Sequence, residues 1–364
     1  MSLCDITWLD LCQRLRDVYL CEHQRGYIPL QLLPRPESQR PQLITMLGDS
    51  TKSSFLKKCF SLVSKRHKKI VLRSVPSHFA SDAPLFVIDC ELHNSLAPSA
   101  LVTTAGGIEL HSLRWLQNIP REMGSVTLAH LVYTRLLLPF STVVCIFASD
   151  FDGTDKVAKF LVSWLKLRKL QPAFPSSTFP RILILVECSD RGSFDEKLAT
   201  TKFLKRLRRI IREDKGLLGP LGDEGLTDVE FEKFLKENVF ELRLLALPAA
   251  GDETYFDTFR TRLLCESEEI HNFRKVAKIA FSARHLQTFF QFACRHFADT
   301  IISPLDIVRV SRIPNPTPAD LPLHLANFVE CIPDEHHDIV APVIASALYL
   351  DNFPPGAHSE SIGN

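Results

Sequence analysis

The sequence predicts an α/β fold, a mostly parallel sheet with a helical C-terminal extension. Three observations carry this. Continuous apolar runs of strand length occur at Leu43–Leu47, Ile70–Leu72, Leu85–Cys90, Val143–Ala148, Ile182–Val186 and Phe240–Leu247. Amphipathic helical patterns separate most of them, at Ser53–Ser64, Val126–Leu138, Asp155–Lys169 and Asp195–Arg212. From residue 253 to 310 the pattern is mainly helical. Strands that are apolar throughout must be buried on both faces, and alternation with helices supplies that cover.

In chain order, Trp8, Leu11, Leu15 and Val18 are spaced like one face of a short helix. A Pro-rich lead-in follows, from Pro29 to Pro41. Residues 1–40 therefore form a first part and residues 41–250 the α/β domain. Within the domain, Lys215–Asp228 is rich in Gly and Leu and reads as a loop. Residues 251–352 form the helical extension. It holds a long periodic stretch from Ile270 to Phe297, a linker marked by Pro314, Pro316, Pro318 and Pro322, and helices near Leu323–Cys331 and Ile339–Leu350. The tail, 353–364, carries Pro354-Pro355-Gly356 and then polar residues and is expected to be disordered.

Composition narrows the class. The chain has 364 residues, 45% hydrophobic and 23% charged, as in ordinary globular proteins. A formal net charge of +1 gives no reason to expect a nucleic-acid partner. Ten cysteines occur without a C-x-x-C pair, several of them inside apolar runs (Cys90, Cys145, Cys188). A thiol there behaves as a small hydrophobe, so a reducing compartment is expected, without a disulfide framework or zinc site. The N-terminus lacks a secretory pattern, and no run of about 18 apolar residues suggests a transmembrane segment.

The chemistry concentrates at strand ends. Parallel sheets collect ligands at the carboxyl ends of their strands, and Gly48, Asp89, Asp150 and Asp190 all fall at or just beyond such ends. In Gln42–Lys58 an apolar run meets Gly48-Asp49-Ser50 and then a Lys-Ser-Ser that opens a helix. This is the outline of a phosphate loop, G-x-x-x-x-G-K-[ST], and makes the fold P-loop NTPase-like. Gly48, Lys52 and Ser53 match. Thr51 stands where the second glycine belongs, and the loop is about two residues short. An intact loop converges backbone N–H groups on phosphate while lysine adds charge. The alternative is a plain strand–turn–helix corner with Ser50 or Thr51 as cap.

Asp89 ends the strand in Leu85–Leu92, where an NTPase holds Mg²⁺, with Glu91 as an auxiliary carboxylate. The D-x-x-G continuation has Leu92 in place of glycine. The alternative is an aspartate capping the next turn. Glu187-Cys188-Ser189-Asp190 stands where a guanine-reading N-K-x-D would be, and only Asp190 matches, so a bland loop aspartate remains the alternative. No threonine lies between Thr51 and Thr103; Ser74, Ser77 and Ser81 are the loop hydroxyls available to a switch role. The basic faces of Lys197–Arg212 and of Lys57–Lys69 read as solvated. Glu335-His336-His337-Asp338 is a poor metal site, because adjacent helical histidines point about 100° apart. No G-x-S-x-G occurs, so a nucleophile-elbow hydrolase is not encoded.

The order of these pieces resembles the N-terminal GTPase-like P-loop domain of fungal patatin-like phospholipase proteins of the FabD/lysophospholipase-like type. The resemblance rests on GDSTKSS (48–54), FVIDCEL (86–92), YTRLLLPFSTVVCIF (133–147), RILILVE (181–187), FSARHLQTFFQFACRHFA (281–298) and PVIASALYLDNFPPGAH (342–358). It implies a cytoplasmic, GTPase-like module that normally precedes a patatin catalytic domain. The family's phosphate lysine and hydroxyl carry to Lys52 and Ser53, and its metal carboxylates to Asp89 and Glu91. With both loop glycines replaced, the expectation is a degenerate module in a regulatory or scaffold role with an unknown protein partner. GTP or ATP with Mg²⁺ would then bind weakly or not at all. The alternative is an active GTPase with an altered loop.

Overall fold

A computed structural model describes residues 6–14, 17–63, 69–91, 97–98, 107–118, 125–168, 178–188, 194–213, 231, 233–235, 241–248, 253–277, 279–301, 303, 305, 319–333 and 336–351. The chain divides into two compact units, Met1–Pro304 and Leu305–Asn364.

The first unit is built on a mixed sheet of ten strands among the described residues. These are β1 (Thr7–Arg14), β2 (Asp17–His23), β3 (Gln42–Leu47), β4 (Ile70–Ser74), β5 (Leu85–Cys90), β6 (Ala97–Pro98), β7 (Ile108–Ser112), β8 (Val143–Phe147), β9 (Arg181–Cys188) and β10 (Leu242–Pro248). Their order is β10-β9-β8-β3-β5-β4-β1-β2-β7, with β6 beside β1. The five strands from β10 to β5 are parallel. From β4 to β7 each neighbour is antiparallel.

The parallel half follows directly from composition. Every residue of β3, β5 and β8 is buried. Side chains alternate between faces. Ile44, Met46, Leu85, Val87, Val143, Cys145, Phe147, Leu183 and Leu185 form one core with α1 (Ser50–Phe60) and α5 (Glu253–Val276), through Phe55, Leu56, Phe60, Phe256, Phe259 and Leu263. The intervening residues are equally buried on the other face. The remaining helices of this unit are α2 (Ser125–Leu131), α3 (Thr154–Arg168), α4 (Glu196–Glu213) and α6 (Ala283–Asp299). On α4, Phe203, Leu207 and Ile211 are buried while Lys202, Lys205, Arg209 and Arg212 are exposed, a solvated basic face.

Two expectations fail. The helix over Trp8–Val18 is a β-hairpin, β1 and β2. Trp8 is held by Tyr27 and Phe290, so tertiary packing overrides a helical spacing of four residues. The periodic stretch Ile270–Phe297 falls in two helices, α5 ending at Val276 and α6 beginning at Ala283. Ser282 caps α6 by accepting a hydrogen bond from the His285 amide. Beyond α2 the chain continues in a wider π-type turn, Val132–Leu137.

The second unit holds α7 (Leu321–Glu330) and α8 (His337–Asp351). Leu323, Phe328, Ile339 and Val343 on them are exposed. The loop 215–228, the prolines at 314, 316 and 318 and the tail 353–364 lie outside the described residues.

Candidate functional site

Adjacent strands β3 and β8 send their following connections in opposite directions, β3 towards β5 and β8 towards β9. The crevice between their carboxyl ends is therefore the switch point, where α/β sheets bind ligands. The β3–loop–α1 corner with Gly48, Lys52 and Ser53 lies on one side of it, and Asp150 lies on the other, just after β8.

Asp150 reaches into the corner. A 3₁₀ turn, Ala148–Phe151, carries it, and the chain leaves through left-handed Asp152 (φ 57°) and Gly153 (φ 102°). One oxygen of its carboxylate accepts from the amides of Asp49 (2.6 Å) and Lys52 (3.0 Å), the other from the amide of Thr51 (2.9 Å) and the Ser50 hydroxyl (3.3 Å). These are the orphan donors at the start of an 11-residue helix, where the dipole favours an anion. Gly48 is required by this approach: a Cβ there would lie 2.5 Å from Asp150 Oδ2.

Lys52 is fully buried. Its ammonium pairs with Asp89 Oδ1 at 2.6 Å and donates to the Cys90 carbonyl at 2.8 Å. Arg73 on β4 approaches the other Asp89 oxygen at 3.2 Å. Glu91 is also buried, and its carbonyl accepts from the Tyr133 hydroxyl. Two cations thus flank the Asp89 carboxylate in the interior, the pairing that buried charge demands. Burial pushes the Cys90 thiol well up, although Lys52 nearby works against it. The Ser53 hydroxyl donates to the Asp49 carbonyl at 2.7 Å. The amides, ammonium and hydroxyl that a Mg²⁺-nucleotide would use all have partners inside the chain.

Gly48, Lys52, Ser53, Asp89 and Glu91 come together at one edge of the sheet. Asp190 and Leu92 lie outside the described residues. Ser74, Ser77 and Ser81 are at the opposite edge. Strand β4 runs antiparallel to β5, with Ser74 opposite Phe86, so the loop after β4 returns to the amino end of β5. There Ser77 pairs with the His78 ring and Ser81 with the His78 carbonyl.

Two features escaped the sequence reading. Asp150 was visible as a strand-end residue, but nothing local marks it as the anion of a loop about a hundred residues earlier. The second is a group of metal-type donors, Glu22, Glu109 and His111, on β2 and β7. They are too far apart in sequence to form a spacing motif.

No protein-family model matches the chain, and no curated protein does. Solved structures with some likeness include the GDP-bound signal recognition particle receptor SRb from Chaetomium thermophilum, at 15% identity over 61% of this chain and 99% of that one, with a TM-score of 0.33. Toc33 from Arabidopsis thaliana, in complex with Mg²⁺ and GMPPNP, is 12% identical over 68% of this chain and 92% of its own, with a TM-score of 0.31. At such identities and TM-scores the likeness transfers neither ligand nor activity to this chain.

Proposed function

We propose that the chain is a degenerate GTPase-like module, binding nucleotide weakly or not at all, that serves a regulatory or scaffold role. The observation that carries this reading is the Asp150 carboxylate on the amides of Asp49, Thr51 and Lys52. A tethered carboxylate at a helix N-terminus competes with any phosphate for the same donors. Each charge-assisted bond is worth about 1.5–3 kcal/mol. An incoming nucleotide would have to displace all three, and would gain no help from Lys52, whose charge is already spent on Asp89. Of the Mg²⁺ ligands suggested by sequence, Ser53 and Asp89 do not fit the role as arranged: the Ser53 hydroxyl turns back to its own helix, and Asp89 lies between two cations.

The setting is a patatin-like phospholipase-type protein in the cytoplasm, acting through a protein partner. The resemblance over 281–298 and 342–358 supports the setting, and thiols placed at apolar positions support a reducing compartment. The test is calorimetry with Mg²⁺-GTP and Mg²⁺-ATP on the purified chain. The expected result is affinity worse than about 100 µM and no useful hydrolysis. Low-micromolar binding that disappears in Lys52→Ala would replace this reading with that of a working GTPase.

A further inference from the structure

At the far end of the sheet, β2 and β7 bring a second polar group into the interior. Glu22 and Glu109 are directly opposite each other across the two strands, and His111 is the diagonal neighbour on the same face. One ligand atom from each of Glu22, Glu109 and His111 lies within 4.8 Å of the others. Glu22 is completely buried and His111 nearly so, while Glu109 is at the solvent edge.

The arrangement around Glu22 is built. Tyr27 donates its hydroxyl to Glu22 Oε1 at 2.7 Å, and His111 Nε2 lies 2.7 Å from Oε2. Fixing a carboxylate oxygen by an outer hydrogen bond is what orients metal ligands. Helix α6 closes the back. Phe290 packs on Trp8, and Phe297 on Trp115, so the face of α6 that includes Cys294 turns towards the sheet. Cys294 is fully buried on that face. Arg295 is the opposing cation, donating to Glu109 Oε1 at 3.2 Å.

We propose that Glu22, Glu109 and His111 form a binding site for a divalent transition metal of the zinc class. One imidazole and two carboxylates, with water in the fourth position, are a donor set suited to four-coordinate Zn²⁺. Bonds of about 2.0–2.1 Å to nitrogen and oxygen would need the His111–Glu22 contact to open by roughly half an ångström. The ion would enter from the Glu109 edge and would lose the His111–Glu22 hydrogen bond in exchange for both ligands. It would cross-link β2 and β7, and so pin the antiparallel extension.

The experiment titrates Zn²⁺ into the chelator-treated full chain by calorimetry and follows Co²⁺ by absorption. The expected result is one site per chain and a tetrahedral Co²⁺ spectrum. His111→Ala and Glu109→Gln should each weaken Zn²⁺ binding roughly tenfold or more. Glu109→Gln changes a solvent-edge residue and keeps the test valid if His111→Ala misfolds. Absence of uptake, or affinity unchanged in the correctly folded variants, would overturn the proposal.

Discussion

The two halves of the sheet handle buried charge differently. In the parallel half, β10 to β5, polar groups occur at strand ends, where Asp150 and Asp89 gather at the switch point. In the antiparallel half, β4 to β7, Glu22 and His111 also stand one residue from a strand end, but they pair with each other across β2 and β7. Asp150 is met by backbone amides at a helix N-terminus, and Asp89 by Lys52 on that helix and Arg73 on β4. Glu22 is met by the side chains of Tyr27 and His111. The first kind of site grows out of topology, whereas the second has to be assembled by packing.

Substitutions separate the two halves by size and kind of effect. The largest loss is expected for Phe290→Ala on α6, whose ring lies 4.1 Å from Trp8 and 5.2 Å from Phe140. Removing it should cost about 3–5 kcal/mol in urea denaturation, by loss of apolar contact and a residual cavity. Because the contact ties the antiparallel hairpin to α6, amides of β1 and β2 should lose exchange protection before those of β3 and β8.

Lys52→Met should come next, at about 3 kcal/mol, since it leaves Asp89 buried with Arg73 as its remaining cation. An unchanged denaturation midpoint would mean that the pair is a bystander in the parallel half. Asp150→Ala removes the acceptor of three amides and should cost about 2 kcal/mol, at the upper end of helix-cap losses. Its effect should be confined to the corner.

The smallest effect has the opposite sign. Burial raises the Asp10 carboxyl on β1 to about 6, against the pull of Lys69. A folded-state pKa above the unfolded value of 3.8 gives stability that is present below that value and lost as pH rises through about 6. Asp10→Asn should therefore stabilise the chain at pH 7 by roughly 1–2 kcal/mol and flatten the profile between about pH 4 and 6. A destabilised variant at pH 7 would show that Lys69 outweighs the burial cost.

The same division explains what was legible in the sequence. Residues 43–47, 85–90, 143–148 and 182–186 announce themselves as buried strands because they are apolar but for Thr45 and Asp89, and they are adjacent in the sheet. The corner at Gly48–Ser53 is equally visible, since its geometry is local. The hairpin β1–β2 was missed because its burial follows no single periodicity; Trp8, Leu9, Leu11 and Cys12 are all buried, against partners that include Phe290. The switch hydroxyls went to the wrong edge because strand direction is not written in a three-residue apolar run such as Ile70–Leu72. Asp150 and Lys52 were both seen, but their mutual exclusion of phosphate depends on which side chain reaches the helix N-terminus, a tertiary fact.

The central claim is that Asp150 takes the anion's place in the corner. Hydrogen exchange of the Asp49, Thr51 and Lys52 amides tests it directly, with and without millimolar Mg²⁺-GTP. The account predicts protected amides in the nucleotide-free chain, no change on adding nucleotide, and loss of protection in Asp150→Ala. Amides that exchange freely in the unliganded chain and become protected on adding Mg²⁺-GTP would contradict it.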